Sequence, residues 1–245
     1  MHTHLLPGVD DGSPSLEVSV PILERFREEG VTRVVCTPHL VASQAGRAPR
    51  ERHLALLAEL QAAVPDVALA SGWEIMLDEP GVDLTDEALT LGDSRAVLVE
   101  FSLGGIPRGA VGELRRIARA GRTPVLAHPE RYFGCSTALV RDFRKAGAVI
   151  QTDVAVLLGR GGPSEMARTL LAEGLVDILA SDNHGDTRSL AAGRRWLEEQ
   201  GGSAEQVALL TRENAARVLD DEDPHPVPPL ATGGAFERVR RLFGS

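Results

Sequence analysis

The chain has 245 residues, 43% of them hydrophobic, and a formal net charge of -9. That length and composition fit one α/β barrel or two small domains with a substantial core, and exclude a disordered chain. The acidic balance excludes a general nucleic-acid binder, the lack of any apolar run of about 18 residues excludes a membrane span, and two cysteines, Cys36 and Cys135, exclude a disulfide framework.

The first twelve residues read MHTHLLPGVDDG. His2 and His4 are two residues apart, so in an extended strand both imidazoles point to one face and can reach one metal ion. Pro7, Gly8, Asp10, Asp11 and Gly12 then make a turn-rich acidic loop, and Ser13-Pro14 reads as an N-cap and first helical residue. No basic and apolar leader precedes this stretch, so a soluble cytoplasmic protein is expected.

Beyond it, short apolar runs alternate with segments of helical period. Strands are expected at Thr32–Thr37, Val67–Ser71, Ala96–Val99, Pro124–Ala127, Ala148–Thr152 and Val176–Ser181, seven with the N-terminal piece. Helices are expected at about Pro14–Glu29, Arg50–Ala63, Arg108–Ala120, Thr137–Ala146, Ser164–Glu173, Arg188–Gln200 and Ser203–Leu219, with Gly30, Gly121, Gly147 and Gly174 ending four of them. Repeated βα units imply a parallel sheet. His53 reads as a surface residue of its helix. Residues 221–245 read as a Pro-rich linker, with a solvated His225, followed by a short amphipathic helix at Phe236–Phe243, after a domain spanning 1–220.

Of seven histidines, five (His2, His4, His39, His128, His184) fall at or just beyond a strand's C-terminal end. Glu74, Glu100 and Asp182 do so as well. In a β/α barrel those ends share one face, where active sites are built. With Asp11 these residues are too many for one ion and would hold two or three, with a carboxylate such as Glu74 bridging. Mixed imidazole and carboxylate donors suit Mn, Fe or Zn without selecting among them. Three divalent ions would outweigh four carboxylates, so an acidic protein can hold a cationic pocket for a phosphate ester and stabilise its attacking and leaving oxygens. Arg131, on the loop of His128, has the planar fork that matches phosphate. Arg47, Arg50 and Arg188 lie on other strand-end loops and could assist. Asp10 and Asp153 are candidates for holding imidazoles in the right tautomer. Cys135 and Arg141 have the Cys-x5-Arg spacing of cysteine-dependent phosphatases, but the residues between them include no glycine and read as a helix start, so the spacing is taken as coincidence.

The stretches HTHLLPGVDDG, VVCTPH, GWEI, VEF, AHPERY and ASDNH, in that order, resemble the PHP (polymerase and histidinol phosphatase) superfamily, and more narrowly the CpsB/CapC/YwqE-type manganese-dependent protein-tyrosine phosphatases. The resemblance implies a distorted seven-stranded (β/α)7 TIM-like barrel with three metal ions. It implies one ion on His2, His4, Glu74 and Asp182, a second on Glu74, Glu100 and His128, and a third on Asp11, His39 and His184, with Arg131 handling phosphate. It also implies a phosphotyrosine protein as substrate, a bacterial tyrosine kinase controlling capsule or exopolysaccharide synthesis, and a homo-oligomer. Two departures from the family pattern are expected to matter: few residues precede His2, which shortens the first strand, and Arg188 lies close behind His184. A phosphatase of small esters resembling histidinol phosphate, or a non-catalytic oligomeric scaffold, are the alternatives.

Overall fold

The computed structural model describes residues 1–231; the helix expected at Phe236–Phe243 lies outside the described residues. Among the described residues eight strands form: β1 (Arg33–Cys36), β2 (His39–Val41), β3 (Ala68–Ser71), β4 (Glu74–Met76), β5 (Ala96–Glu100), β6 (Thr123–Ala127), β7 (Val149–Asp153) and β8 (Ile178–Ala180). Nine α-helices accompany them among the described residues: α1 (Leu16–Glu28), α2 (Arg50–Ala63), α3 (Ala110–Arg119), α4 (Thr137–Lys145), α5 (Val154–Leu158), α6 (Gly162–Ala172), α7 (Leu190–Glu199), α8 (Ala204–Ala208) and α9 (Asn214–Leu219). The protein is thus a mixed α/β fold with parallel sheets.

The seven-stranded closed barrel is corrected among the described residues. The strands make two parallel sheets, a pair β1-β3 and a six-stranded sheet β2-β4-β5-β6-β7-β8. Two sequence features split the wall. Pro38 interrupts β1 from β2, and Gly72-Trp73 interrupts β3 from β4 at the same level. The N-terminal piece contributes a single bridge, Thr3 to Asn183, instead of a strand. Thr3 also accepts from the Thr37 amide (2.8 Å), so it lies between the end of β8 and the end of β1.

Strand phase sorts the six-stranded sheet into two buried faces. Val97 and Val99 of β5, Leu126 of β6, Ile150 of β7 and Leu179 of β8 pack into the large core beneath the helices. Ala96 and Leu98, Val125 and Ala127, Val149 and Ile178 pack on the opposite, inner face. Continuing that phase puts Glu100, Gln151, Asp153 and Asp182 on the inner face at the strands' C-terminal ends. Tyr132 ties two of those ends together: its hydroxyl donates to the Ala127 carbonyl (2.6 Å) and accepts from the Phe101 amide (3.2 Å). Tyr132→Phe leaves both backbone groups buried and unpaired. We expect it to cost about 1–3 kcal/mol, read as a lower denaturation midpoint with unchanged m-value.

Three further expectations differ from the structure. The first helix is capped at Ser15, not Ser13, whose amide instead bonds the His4 carbonyl (2.8 Å). His53 is buried, with its ring stacked on Trp73 at 4.6 Å. The Pro-rich stretch after Asp220 packs as a strap: Val227 and Leu230 enter the large core, and Gln206 donates to the carbonyls of Pro228 (3.1 Å) and Pro229 (2.9 Å). The His225 side chain is exposed as expected, but its backbone N–H and C=O both bond Asn214. Among the described residues no helix is long and apolar enough to cross a membrane.

Candidate metal centre

Nine of the expected ligands converge on the inner face. Glu74 is the hub. His39 and Glu74 open adjacent strands and are register partners, so their side chains lie side by side. The Glu74 carboxylate meets His39 Nδ1 (3.0 Å), His128 Nε2 (2.8 Å), His2 Nε2 (3.3 Å) and His4 Nε2 (3.2 Å). Asp182 Oδ1 lies 3.2 Å from His2 Nε2 and 3.3 Å from His4 Nε2. Glu100 reaches within 3.7 Å of His128 Nε2 and 4.0 Å of His39 Nδ1. On the outer side Asp11 Oδ1 lies 3.2 Å from His39 Nε2 and 3.7 Å from His184 Nε2. Three groups offer donor atoms all within 4.8 Å of one another: His4, Asp11, His39 and His184; His2, His4 and Glu74; and His39, Glu74 and Glu100.

The donors are prepared for a cation. His2 Nδ1 faces the Gln151 amide oxygen (2.9 Å), His4 Nδ1 faces Asp10 Oδ2 (2.7 Å) and His184 Nδ1 faces the Asp182 carbonyl (2.9 Å). Each partner is an acceptor, so each Nδ1 carries the proton and leaves the Nε2 lone pair toward the cluster. Ligand atoms arranged tetrahedrally about an ion at roughly 2.0 Å stand roughly 3.3 Å apart. His2 Nε2 and His4 Nε2 lie 3.2 Å apart, and Asp182 Oδ1 lies 3.2 and 3.3 Å from them, which matches that spacing. Asp182 Oδ1 is buried with no hydrogen-bond partner, as an oxygen reserved for an ion would be. The residues therefore fit a divalent cation.

The electrostatics agree. Burial pushes Glu74 up, but His2, His128 and His39 outweigh it and hold the carboxyl well below its usual range. Burial likewise opposes, and His2 and His4 then reverse, the shift of Asp182, which is also held low. Burial and the charge of Glu74 drive Glu100 up to about 7. His4, although burial disfavours its cation, is raised to about 11 by Asp10, Asp182 and Glu74. The cluster thus demands positive charge at its centre.

Backbone strain marks the same place. His128 (φ 34°) and Asp182 (φ 45°) adopt left-handed conformations. Such residues cost of order 1 kcal/mol or more and persist where the surroundings impose them. For His128 the reason is visible. Ala127 points inward, so a continued strand would turn His128 away, and leaving the extended region brings its imidazole back to Glu74.

The arginines divide. Arg131 Nη1 lies 3.5 Å and Arg188 Nη1 3.4 Å from Asp182 Oδ2, the oxygen turned away from the histidines. Arg131 also meets Asp153 Oδ2 at 3.4 Å, and Arg188 donates to Asp186 Oδ2 at 2.7 Å. Arg47 is exposed on a 3-10 turn (Ala42–Arg47) away from these carboxylates, and the structure gives it no ion pair among the described residues. Arg50 is likewise exposed, at the start of α2. Asp10 orients His4 as expected. Asp153 does not touch an imidazole; Gln151, a residue type that sequence reading for ligands passes over, holds His2 instead. Asn183 was also missed. Its side chain bonds Gly185, Asp186 and Arg188 and shapes the loop carrying His184. Cys135 has its thiol pushed up to about 11 by burial and by Glu130, and Arg141 is engaged by Glu173 on the outer helices, so their spacing builds no phosphate loop.

Fold and site together define an α/β protein whose parallel strands deliver a histidine-carboxylate cluster able to hold more than one divalent ion. Residues 1–220 match the family model for capsular polysaccharide synthesis, CpsB/CapC, and the chain belongs to that family. It is similar to the tyrosine-protein phosphatase YwqE of Bacillus subtilis, at 28% identity over 256 residues, covering all of this chain and 98% of that protein. It is also similar to the tyrosine-protein phosphatase CpsB of Streptococcus pneumoniae, at 29% identity covering 75% of this chain and 82% of that one. A crystal structure from the work on YwqE and CpsB, described as metal-dependent tyrosine phosphatases, superposes with a TM-score of 0.79 at 26% identity, covering 93% of this chain and 96% of that one.

Proposed function

We propose that this chain is a metal-dependent phosphatase that removes phosphate from tyrosine side chains of proteins, with a bacterial tyrosine kinase of capsule or exopolysaccharide synthesis as substrate. The observation that carries it is the pairing of the cation-demanding cluster with Arg131 and Arg188, both directed at the same outward oxygen of Asp182. His2, His4, Glu74 and Asp182 would hold one ion, Glu74, Glu100 and His128 another, and Asp11, His39 and His184 a third. Manganese is the ion proposed, with iron or zinc compatible with the same donors. Bound there, the ions would supply Lewis acidity, an activated water and charge neutralisation at the phosphoryl oxygens. The chain's own residues do the rest. Gln151, Asp10 and the Asp182 carbonyl hold the Nδ1 side of His2, His4 and His184 and turn Nε2 toward the ion. Arg131 and Arg188 exchange their contacts with Asp182 Oδ2 for the phosphate oxygens, fixing the ester and offsetting charge that grows as the bond to tyrosine breaks. Arg47, exposed at the rim, would meet acidic residues of the substrate protein. We read the protein as a cytoplasmic homo-oligomer.

The test is turnover of p-nitrophenyl phosphate and of a phosphotyrosine peptide by chelator-treated protein, before and after manganese is added. Manganese-dependent turnover of both, lost in His128→Ala and retained in Cys135→Ser, is the expected result. Turnover that ignores chelators and disappears with Cys135 would sink the metal mechanism. Turnover of the small ester alone would move the substrate to small phosphate esters.

A further inference from the structure

The inner face carries a second connection between the cluster and Arg131 that bypasses Asp182. Asp153 is buried and its carboxylate, when ionised, only accepts hydrogen bonds. Its Oδ1 accepts from Gln151 Nε2 at 2.9 Å, and its Oδ2 lies 3.4 Å from Arg131 Nη1. In the structure the Gln151 amide nitrogen faces Asp153 and its oxygen faces His2 Nδ1, 2.9 Å away. The amide orientation in turn settles the tautomer of His2, with the proton on Nδ1 and the lone pair on Nε2. Gln151, His2 and Asp153 are all buried, so no solvent competes for these bonds. Gln151 and Asp153 share one face of β7, which explains how two residues of a short strand can relay between a histidine on the first segment of the chain and an arginine on the loop after β6.

We propose that Gln151 and Asp153 are positioning residues that couple cation binding at His2 to phosphate binding at Arg131. The inference rests on the phosphatase reading for the identity of the two ligands. It goes beyond that reading in giving the chain a specific route by which each ligand raises the affinity for the other. Arg131 contacts Asp153, Asp153 holds the Gln151 amide, and the amide presents His2 with its ligating nitrogen free. Read backwards, an ion on His2 Nε2 locks the same chain of bonds and leaves the Arg131 guanidinium set for a tetrahedral oxyanion. Linkage makes the effect reciprocal and equal in both directions.

The experiment is a set of binding titrations on the full chain. Manganese affinity is measured by calorimetry with and without inorganic phosphate, and phosphate affinity with and without manganese. In the parent protein each probe strengthens the other by the same factor. Gln151→Leu is expected to weaken manganese binding about 10–100-fold, as loss of a partner that orients a ligating histidine does, and to lower the mutual factor to the part that direct contact between phosphate and the ion supplies. Gln151→Glu keeps an acceptor for His2 and replaces the amide donor to Asp153 with a carboxyl; it is expected to recover manganese affinity without recovering the full coupling. Asp153→Asn serves as the second variant should Gln151→Leu fold poorly, judged by circular dichroism and thermal midpoint, and it too should lower the mutual factor. A Gln151→Leu protein that is folded and keeps both affinities and their mutual factor overturns the proposal. So does one that loses manganese affinity yet keeps the factor. A parent protein that binds no manganese at all would instead remove the metal reading beneath it.

Discussion

Replacing Glu74 with glutamine is expected to lower kcat/KM by about 10³-fold or more, close to 4 kcal/mol of lost transition-state stabilisation. Four imidazoles, those of His2, His4, His39 and His128, meet this one carboxylate within 2.8–3.3 Å. Glutamine keeps the shape but removes the charge, and it turns an amide N–H₂ toward nitrogens whose lone pairs are meant for an ion. Because Glu74 belongs to two of the three donor groups, the loss is not confined to one position. Metal content after gel filtration should fall by more than one equivalent alongside the rate. A Glu74→Gln protein that holds its full metal complement and stays within tenfold of the parent rate would show that Glu74 is not the bridge.

Gly12→Ala is expected to be as damaging for a steric reason alone. A Cβ at this position would sit 2.2 Å from the His4 carbonyl oxygen, 2.4 Å from His4 Cβ and 2.9 Å from Asp10 Oδ1. None of these neighbours can retreat cheaply. The His4 carbonyl accepts from the Ser13 amide at 2.8 Å, and its imidazole is tied to Asp10 at 2.7 Å. The acidic loop must move instead, carrying Asp11 away from His39 and His184, at a cost above about 3 kcal/mol if it is resisted. Gly46 is the control, since a Cβ there meets nothing within 4 Å. Gly46→Ala should stay within about 0.5 kcal/mol of the parent. Denaturation midpoints and manganese titrations of the two variants separate the outcomes, and equal behaviour would refute the close-approach argument.

Much of this site can be read from residue type and position. Imidazoles and carboxylates at strand ends are unusual enough that His2, His4, His39, Glu74, Glu100, His128, Asp182 and His184 stand out without coordinates. What could not be read is how the wall is broken. Pro38 and Gly72-Trp73 look like ordinary strand ends, and nothing local says that the chain resumes as β2 and β4 with His39 and Glu74 as their first residues. Gln151 escaped because a neutral amide has no ligand chemistry of its own; its role exists only through the register of β7 with the N-terminal segment. His53 misled because its helix, α2, carries no sharp apolar stripe, and the partner that buries it, Trp73, is supplied from another element. The strap at Val227 and Leu230 was hidden by proline content, which describes how stiff a segment is and not what its occasional apolar residues will meet.

The bridge between Thr3 and Asn183 has a consequence for how the molecule comes into being. His2 and His4 are synthesised well before Asp182 and His184, which lie about 180 residues further along the chain. Contacts this distant in sequence are paid for in loop-closure entropy and form late and slowly. A nascent or refolding chain therefore displays His2 and His4 long before Asp182 and His184 can join them. An ion that binds only the assembled centre adds its binding free energy to the folded state, so the supply of free cation would set both how much protein is loaded and how firmly it stays folded.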